Sequence, residues 1–315
     1  MKKNLSKYVL EYNIVIILIL LVIAASFFVP NFIRPGNISN LLINVGTYGI
    51  MALGLTLVFI VGAIDLSVGF QAAAIAVVTV LVANSFGFAA AIVAGIAGGL
   101  ILGYINGFVV TRLNITPLIA TLATMTGLKG LTLLLTNNFS IALTDLDTKL
   151  LYTTIIAGIQ LPIIIFAAIF IVLTLFLRYT RTGLNFYIIG GNEEAGKLAG
   201  INTNKLIRLA YILSGLCCGI VGILLASRFA SATYNLAENM DVTAISSCVI
   251  GGVKLMGGKG NMLQALLGVM VIQVISNILT LLSVYGSIQI LVTGLVVVAV
   301  LIGDKYTQFN KTQTI

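Results

Sequence analysis

The chain has 315 residues, is 59% hydrophobic and only 8% charged, and carries a formal net charge of +8 with a mean hydropathy of +1.14. Soluble domains are about 45–50% apolar and about 25% charged, so a soluble enzyme, a soluble nucleic-acid binder and a disordered chain are excluded. The 17 lysines and arginines are scattered rather than gathered into a patch, which removes nucleic acid as a partner and leaves an all-α polytopic membrane protein in contact with the lipid bilayer.

A spanning helix needs about 20 mostly apolar residues. On that criterion the sequence predicts about ten spans, over residues 12–29, 41–61, 67–84, 88–110, 116–136, 160–178, 208–227, 243–253 (continuing irregularly), 261–282 and 287–303. The first follows Lys2, Lys3 and Lys7, but its apolar run continues into Phe27, Phe28 and Val29 with no polar cleavage region. It is therefore read as a retained helix rather than a signal peptide.

Between the second and third spans lies VGAIDLSVG, residues 61–69, whose acid stands alone in a long apolar stretch. Asp65 and Ser67 suit a cap on the third helix. An acid near membrane depth is otherwise a candidate for a gate or a pathway lining. In the fourth span Gly95, Gly99 and Gly103 share one face and invite close approach by another helix, with Asn106 just beyond. The fifth span carries Thr121, Thr124 and Lys129, the last either snorkelling to the outer interface or facing the pathway. Further candidates to meet a solute hydroxyl are Asn44, Thr47, Gln273 and Asn277.

The longest outer loop is about 137–159 and the longest inner loop about 179–207, and neither is long enough for a separate domain, so 1–315 is read as a single transmembrane domain. Within the inner loop Asn192 is a good N-cap, Glu193 and Glu194 suit a first helical turn, and Gly200 is a good stop. The enclosed helix, about 193–199, is too short to stand alone in water. It either lies on the bilayer surface or docks on a partner through Leu198, Ala199 and Ile201. The segment VIGGVKLMGGKGNM, residues 249–262, resembles a phosphate loop only superficially, because Val253 and Gly260 stand where GxxxxGK[ST] requires Gly and Ser or Thr. It reads as a glycine-rich hairpin between two spans, one of several broken segments.

With the N-terminus inside, 13 of the 17 basic residues fall on the cytoplasmic side: Lys2, Lys3, Lys7, Arg112, Arg178, Arg181, Lys197, Lys205, Arg208, Lys254, Lys259, Lys305 and Lys311. Arg34, Lys149 and Arg228 fall outside, and Lys129 lies within a span. That bias predicts both termini inside. The chain has no His and no Trp, and Cys217, Cys218 and Cys248 all lie in apolar runs, so neither a metal site nor a disulfide framework is expected.

Four segments together resemble the permease subunits of ABC importers, in the branched family that handles ribose and other simple sugars. They are VGAIDLSVG at 61–69, NITPLIATLATM at 114–125, GGNEEAGKLAGIN at 190–202 and VIGGVKLMGGKGN at 249–261, in the family's order and spacing. Ala63 stands where that family usually has a second glycine. The resemblance implies a type II-like importer architecture in a bacterial inner membrane, without enzymatic activity on this chain. It implies a second permease subunit, identical or closely homologous, a cytoplasmic ATPase and an extracytoplasmic sugar-binding protein. ATP and magnesium would bind the ATPase, and this chain would hold no cofactor. The 190–202 segment would be the coupling helix, with Asn192, Glu193, Glu194, Gly196, Leu198 and Gly200 meeting the ATPase. The alternative is an ion-gradient-coupled secondary transporter of a small polar solute, for which Asp65 is the one candidate relay.

Overall fold

The structure is a computed structural model that describes residues 13–295 and residue 298. Lys2, Lys3, Lys7, Lys305, Lys311 and both termini lie outside the described residues, as does most of the last predicted span beyond Leu295.

The chain order is α1 (Asn13–Phe28), α2 (Pro35–Ile60), α3 (Val68–Arg112), α4 (Pro117–Thr136), β1 (Ile141–Ala142), α5 (Leu146–Thr153), β2 (Ile155–Ile156), β3 (Ile159–Gln160), α6 (Leu161–Tyr179), α7 (Arg181–Gly191), α8 (Glu193–Leu198), α9 (Thr203–Phe229), β4 (Ser231–Ala232), α10 (Met240–Ile250), α11 (Met262–Leu281) and α12 (Gly286–Leu295). Six of these, α2, α3, α4, α6, α9 and α11, are long and apolar enough to cross a membrane. The shorter α1, α10 and α12 are apolar too. The all-helical expectation holds apart from two small antiparallel ladders, β1 with β4 and β2 with β3, in the connections between helices.

At 45 residues α3 is far longer than a bilayer needs, since about 20 residues suffice. It is broken at Gly87, whose φ of 81° and ψ of −178° lie in a region open essentially to glycine alone. The chain doubles back there. Ser67 is hydrogen-bonded to Asn106, and a Cβ on Gly95 would stand 3.1 Å from Thr79 Oγ1. Each pair is roughly equidistant from Gly87, as an antiparallel hairpin demands. The two arms, 68–86 and 88–112, are the third and fourth predicted spans.

The second arm of α3 packs backbone to backbone on α9. A Cβ on Gly99 would overlap the Gly215 carbonyl oxygen, and one on Gly103 the Tyr211 carbonyl oxygen. The predicted small-residue face is thus met by a second glycine stripe, Gly215 and Gly219, on α9. Gly99→Ala is expected to destabilise the protein by about 3 kcal/mol, the upper range for overpacking, because backbone rather than a movable side chain is in the way. Gly98→Ala one residue earlier meets only Ile75 Cγ1 at 3.7 Å and should be neutral or stabilising by up to about 1 kcal/mol, since alanine is the better helix former. Thermal unfolding in detergent separates the two, and equal midpoints would refute the packing.

Helix α2 is the centre of the molecule, buried from Val45 to Ile60 apart from partly covered Tyr48, and touched by α6, α9, α10 and α11. The periphery is apolar in turn. Ile17 and Leu20 on α1, Ile119 and Leu134 on α4 and Val172 on α6 are all exposed, apolar faces suited to contact with lipid.

Candidate functional site

Two groups of predicted residues come together in the fold. The first is a buried polar knot at the start of α3. Asp65 Oδ1 accepts the Ser67 backbone N–H at 2.9 Å and the Ser67 hydroxyl at 2.6 Å. Gln71 Nε2, one helical turn further on, donates to Asp65 Oδ2 at 3.2 Å and to Ser67 Oγ at 2.8 Å. Asn106 Nδ2 on the second arm also donates to Ser67 Oγ at 2.8 Å, and Thr124 on α4 donates to Asn106 Oδ1 at 2.6 Å. Asp65, Ser67, Gln71 and Asn106 are completely buried. Just before them, the Ile64 carbonyl accepts the Tyr211 hydroxyl of α9 at 2.8 Å. Asp65 therefore closes a tight turn ahead of α3, and the N-cap position itself, Ser67, makes no side-chain cap. Both arms of α3 and helix α9 are tied to this loop directly, and α4 through Asn106, by hydrogen bonds whose low-dielectric surroundings make each costly to lose.

The second group is the short helix α8. Asn192 Oδ1 accepts the Ala195 N–H at 3.0 Å, as an N-cap does. At the other end the Ile201 N–H reaches the Gly196 carbonyl at 3.0 Å and the Gly200 N–H the Lys197 carbonyl at 3.0 Å. This is the Schellman pattern, and it needs the left-handed φ of 78° that Gly200 supplies. Lys197 Nζ lies 3.0 Å from Glu194 and 3.1 Å from Glu193. Those carboxylates, Glu194 foremost, hold the ammonium above its ordinary pKa. Glu193 also accepts the Thr203 hydroxyl at 3.2 Å. Gly196 is buried and packs against Ile189 of α7, whereas Leu198 is 90% exposed and the Glu194 side chain 79%.

Glycine contacts connect the two groups. Helix α7 begins at a Thr180 cap and is held by buried Phe186, edge-on to Phe176 of α6 at 5.6 Å. Its end, Gly190, is pressed on the Ile60 carbonyl, which also accepts the Gly258 N–H at 2.9 Å. A Cβ on Gly257 would stand 2.8 Å from the Gly62 Cα, and the Tyr187 hydroxyl donates to the Gly260 carbonyl at 2.8 Å. The predicted hairpin of 249–262 is thus the third member of a junction joining α7, the end of α2 and itself. The loop leaving that junction, 61–67, carries Asp65.

The remaining predicted residues lie apart from both groups. Thr121 is buried but donates to its own helix, to the Pro117 carbonyl at 2.8 Å. Lys129 stands 5.6 Å from the centre of the Phe70 ring, a cation–π contact between α4 and α3. Asn277 pairs with Asn37, the two side-chain amides exchanging bonds of 2.8 and 3.0 Å, and so ties α11 to α2. Asn44 accepts Arg228 Nη1 at 2.7 Å. The cysteines are buried and free.

Compared with known proteins, residues 37–301 match the family described as branched-chain amino acid transport system / permease component. The chain belongs to this permease family. It is 37% identical to the ribose import permease RbsC of Bacillus subtilis over 293 residues, 91% of this chain and 90% of that one. It is 33% identical to the ribose import permease RbsC of Haemophilus influenzae, covering 98% of this chain and 97% of that one. To the L-arabinose transport system permease AraH of Escherichia coli the identity is 34%, over 96% of this chain and 92% of that one. No solved structure matches the chain. The permease is a multi-pass protein of the bacterial inner membrane, as family and apolar helices together require.

Two members of the permease's sites escape a sequence reading. Gln71 has a signal in retrospect, since it lies one turn from Ser67 in an otherwise apolar run, FQAAAIAVV. Gly190 opens the 190–202 motif, but its contacts have no signal, because the residues it touches are about 70 and about 130 positions away.

Proposed function

We propose that this permease is the membrane subunit of an ATP-driven importer of ribose or a related simple sugar. It has about ten spans in a type II-like arrangement, with both termini and the α7–α8 end in the cytoplasm. It works beside a second permease subunit, identical or closely homologous, and takes sugar from an extracytoplasmic binding protein. ATP and magnesium bind a cytoplasmic ATPase that docks on α8. The relatives' own names, ribose import and L-arabinose transport, support the sugar class.

The observation that carries the reading is the construction of α8. A helix of six residues is unstable by itself, yet this one has a complete cap at each end and an anchored glycine on one side. Its outward side offers Glu194 and Leu198, a carboxylate and an apolar knob suited to a protein groove. A push on α8 acts on α7 through Gly196 and Ile189, and α7 acts on the 60–62 backbone through Gly190. That backbone leads directly to Asp65, whose knot holds both arms of α3 and α4. Movement of the ATPase is thereby converted into movement of spanning helices, the requirement for alternating access.

Proteoliposomes containing the permease, its ATPase and its binding protein test this. Uptake of labelled ribose should require ATP inside. Glu194→Arg should leave the permease folded, since the group is exposed and exposed ion pairs contribute at most about 1 kcal/mol, but should lower ATP-driven uptake by about tenfold or more. Normal uptake by that variant would sink the coupling assignment. Uptake driven by a proton or sodium gradient without ATP would sink the importer reading and favour a secondary transporter.

A further inference from the structure

Beside α8, the end of α3 and the first turn of α9 enclose an open concavity of about 450 Å³. It is lined by Arg112, Asn202, Asn204, Lys205 and Arg208, three cations and two amides with no acid among them. Among the described residues the ion pairs are those of Lys197 alone, so none of these three cations has a carboxylate partner there.

The cluster is built around one fixed member. Arg208 donates through Nε and Nη2 to Thr111 Oγ1 at 3.3 and 3.0 Å, and its guanidinium stands 5.9 Å from the ring centres of both Tyr104 and Phe108. Lys205 lies one turn before it on α9, and Arg112 follows Thr111 on α3. From this cluster an exposed apolar stripe runs up the second arm of α3 through Phe108, Ile105, Tyr104 and Ile101, at helical spacing.

We infer that this concavity binds the phosphate headgroup of an anionic phospholipid of the inner leaflet, whose acyl chains lie along the stripe. The inference rests on the reading that the α7–α8 end is cytoplasmic. Three clustered cations without acids want an anion, and Arg and Lys near a cytoplasmic membrane surface attract anionic lipid. The stripe settles which anion, because a free phosphate or an acidic peptide has no use for an apolar surface running into the span. The rings of Tyr104 and Phe108 form the boundary between the two regions, with the Arg208 guanidinium within cation–π distance of both.

The test uses the purified permease alone in a neutral detergent, titrated with phosphatidylglycerol, phosphatidylcholine or inorganic phosphate and read by native mass spectrometry and thermal unfolding. Because no ATPase and no sugar are present, its outcome is independent of the transport reading. Phosphatidylglycerol should bind in preference to phosphatidylcholine and raise the unfolding temperature. The double variant Arg112→Gln, Lys205→Gln leaves the Arg208 anchor in place and should bind phosphatidylglycerol roughly tenfold or more weakly while unfolding at the same temperature in lipid-free detergent. Equal binding of the two lipids, or unchanged phosphatidylglycerol binding by the variant, overturns the inference. So does inorganic phosphate that displaces the lipid and reproduces its stabilisation, which would mark a free-anion site.

Discussion

Gly190→Ala should abolish coupled uptake, and Gly191→Ala should not. The two glycines are adjacent, yet a Cβ on Gly190 would overlap the Ile60 carbonyl oxygen and stand 2.7 Å from the Gly258 nitrogen, whereas one on Gly191 meets nothing within 4 Å. The overlap is with two backbones, which have no rotamer to change. The hydrogen bond from the Gly258 N–H to the Ile60 carbonyl, 2.9 Å, must lengthen or break to admit a methyl group. Relief comes only from moving α7 away from the end of α2 and from the 256–260 hairpin. The expected cost is about 3 kcal/mol of stability for Gly190→Ala, at the top of the range for inserted methyl groups, against no appreciable cost for Gly191→Ala. Uptake should fall further than stability does, since α7 is also the link between α8 and the loop bearing Asp65. ATP hydrolysis by the assembled complex should then continue without transport. Comparable uptake by the two variants would remove the glycine junction from the coupling route.

Asp65 gives the second large effect, and here the choice of substitution matters. Asp65→Ala removes the acceptor of the Ser67 N–H, the Ser67 hydroxyl and one Gln71 N–H in a fully buried place. A buried donor without a partner costs about 1–3 kcal/mol, and even with some rearrangement the total should reach about 3 kcal/mol. Asp65→Asn keeps an acceptor for Ser67 and offers an amide N–H in place of the second oxygen. The Gln71 Oε1 atom, buried and without a partner, is available to receive it once that side chain rotates, at the loss of the bond from Gln71 Nε2 to Ser67 Oγ. The amide variant should therefore cost only about 1 kcal/mol and retain uptake. Thermal unfolding and ATP-driven uptake, measured on both variants, check this ordering. Complete loss of uptake by a normally folded Asp65→Asn protein would mean that the carboxylate charge itself acts in the pathway.

The polar knot shows how far the sequence could be read. Asp65, Ser67, Asn106 and Thr124 each stand out in apolar runs as polar residues, and the fold joins all four. Thr121, Lys129 and Asn277 stand out equally, yet they are drawn to a helix carbonyl, an aromatic ring and another asparagine. Polarity in an apolar stretch marks a residue that must find a partner, because an unpaired group is costly there. It does not say which partner. That depends on how each helix is rotated about its axis and on its register against its neighbours. Helix α7 was also hidden, because the run RTGLNFYIIGG is short and carries three glycines, and its buried side, Phe186 and Ile189, is set by α6 and α8.

What could be read without the fold is what one or two helical turns, or one stretch of about 20 residues, can encode. That includes the membrane class, the positions of the apolar segments, the family motifs and the caps of α8, where Asn192 and Gly200 act on backbone groups only three or four positions away. The break between the arms of α3 was already legible as the gap between two predicted spans, but only the packing of helices decided that the glycine stripe of α3 lies on that of α9 and that Gly190 meets Ile60 and Gly258. Those contacts join segments far apart in the chain, and their strength lies in backbones brought close together. A glycine records in sequence only that close approach is permitted, and the packing of whole helices chooses what approaches.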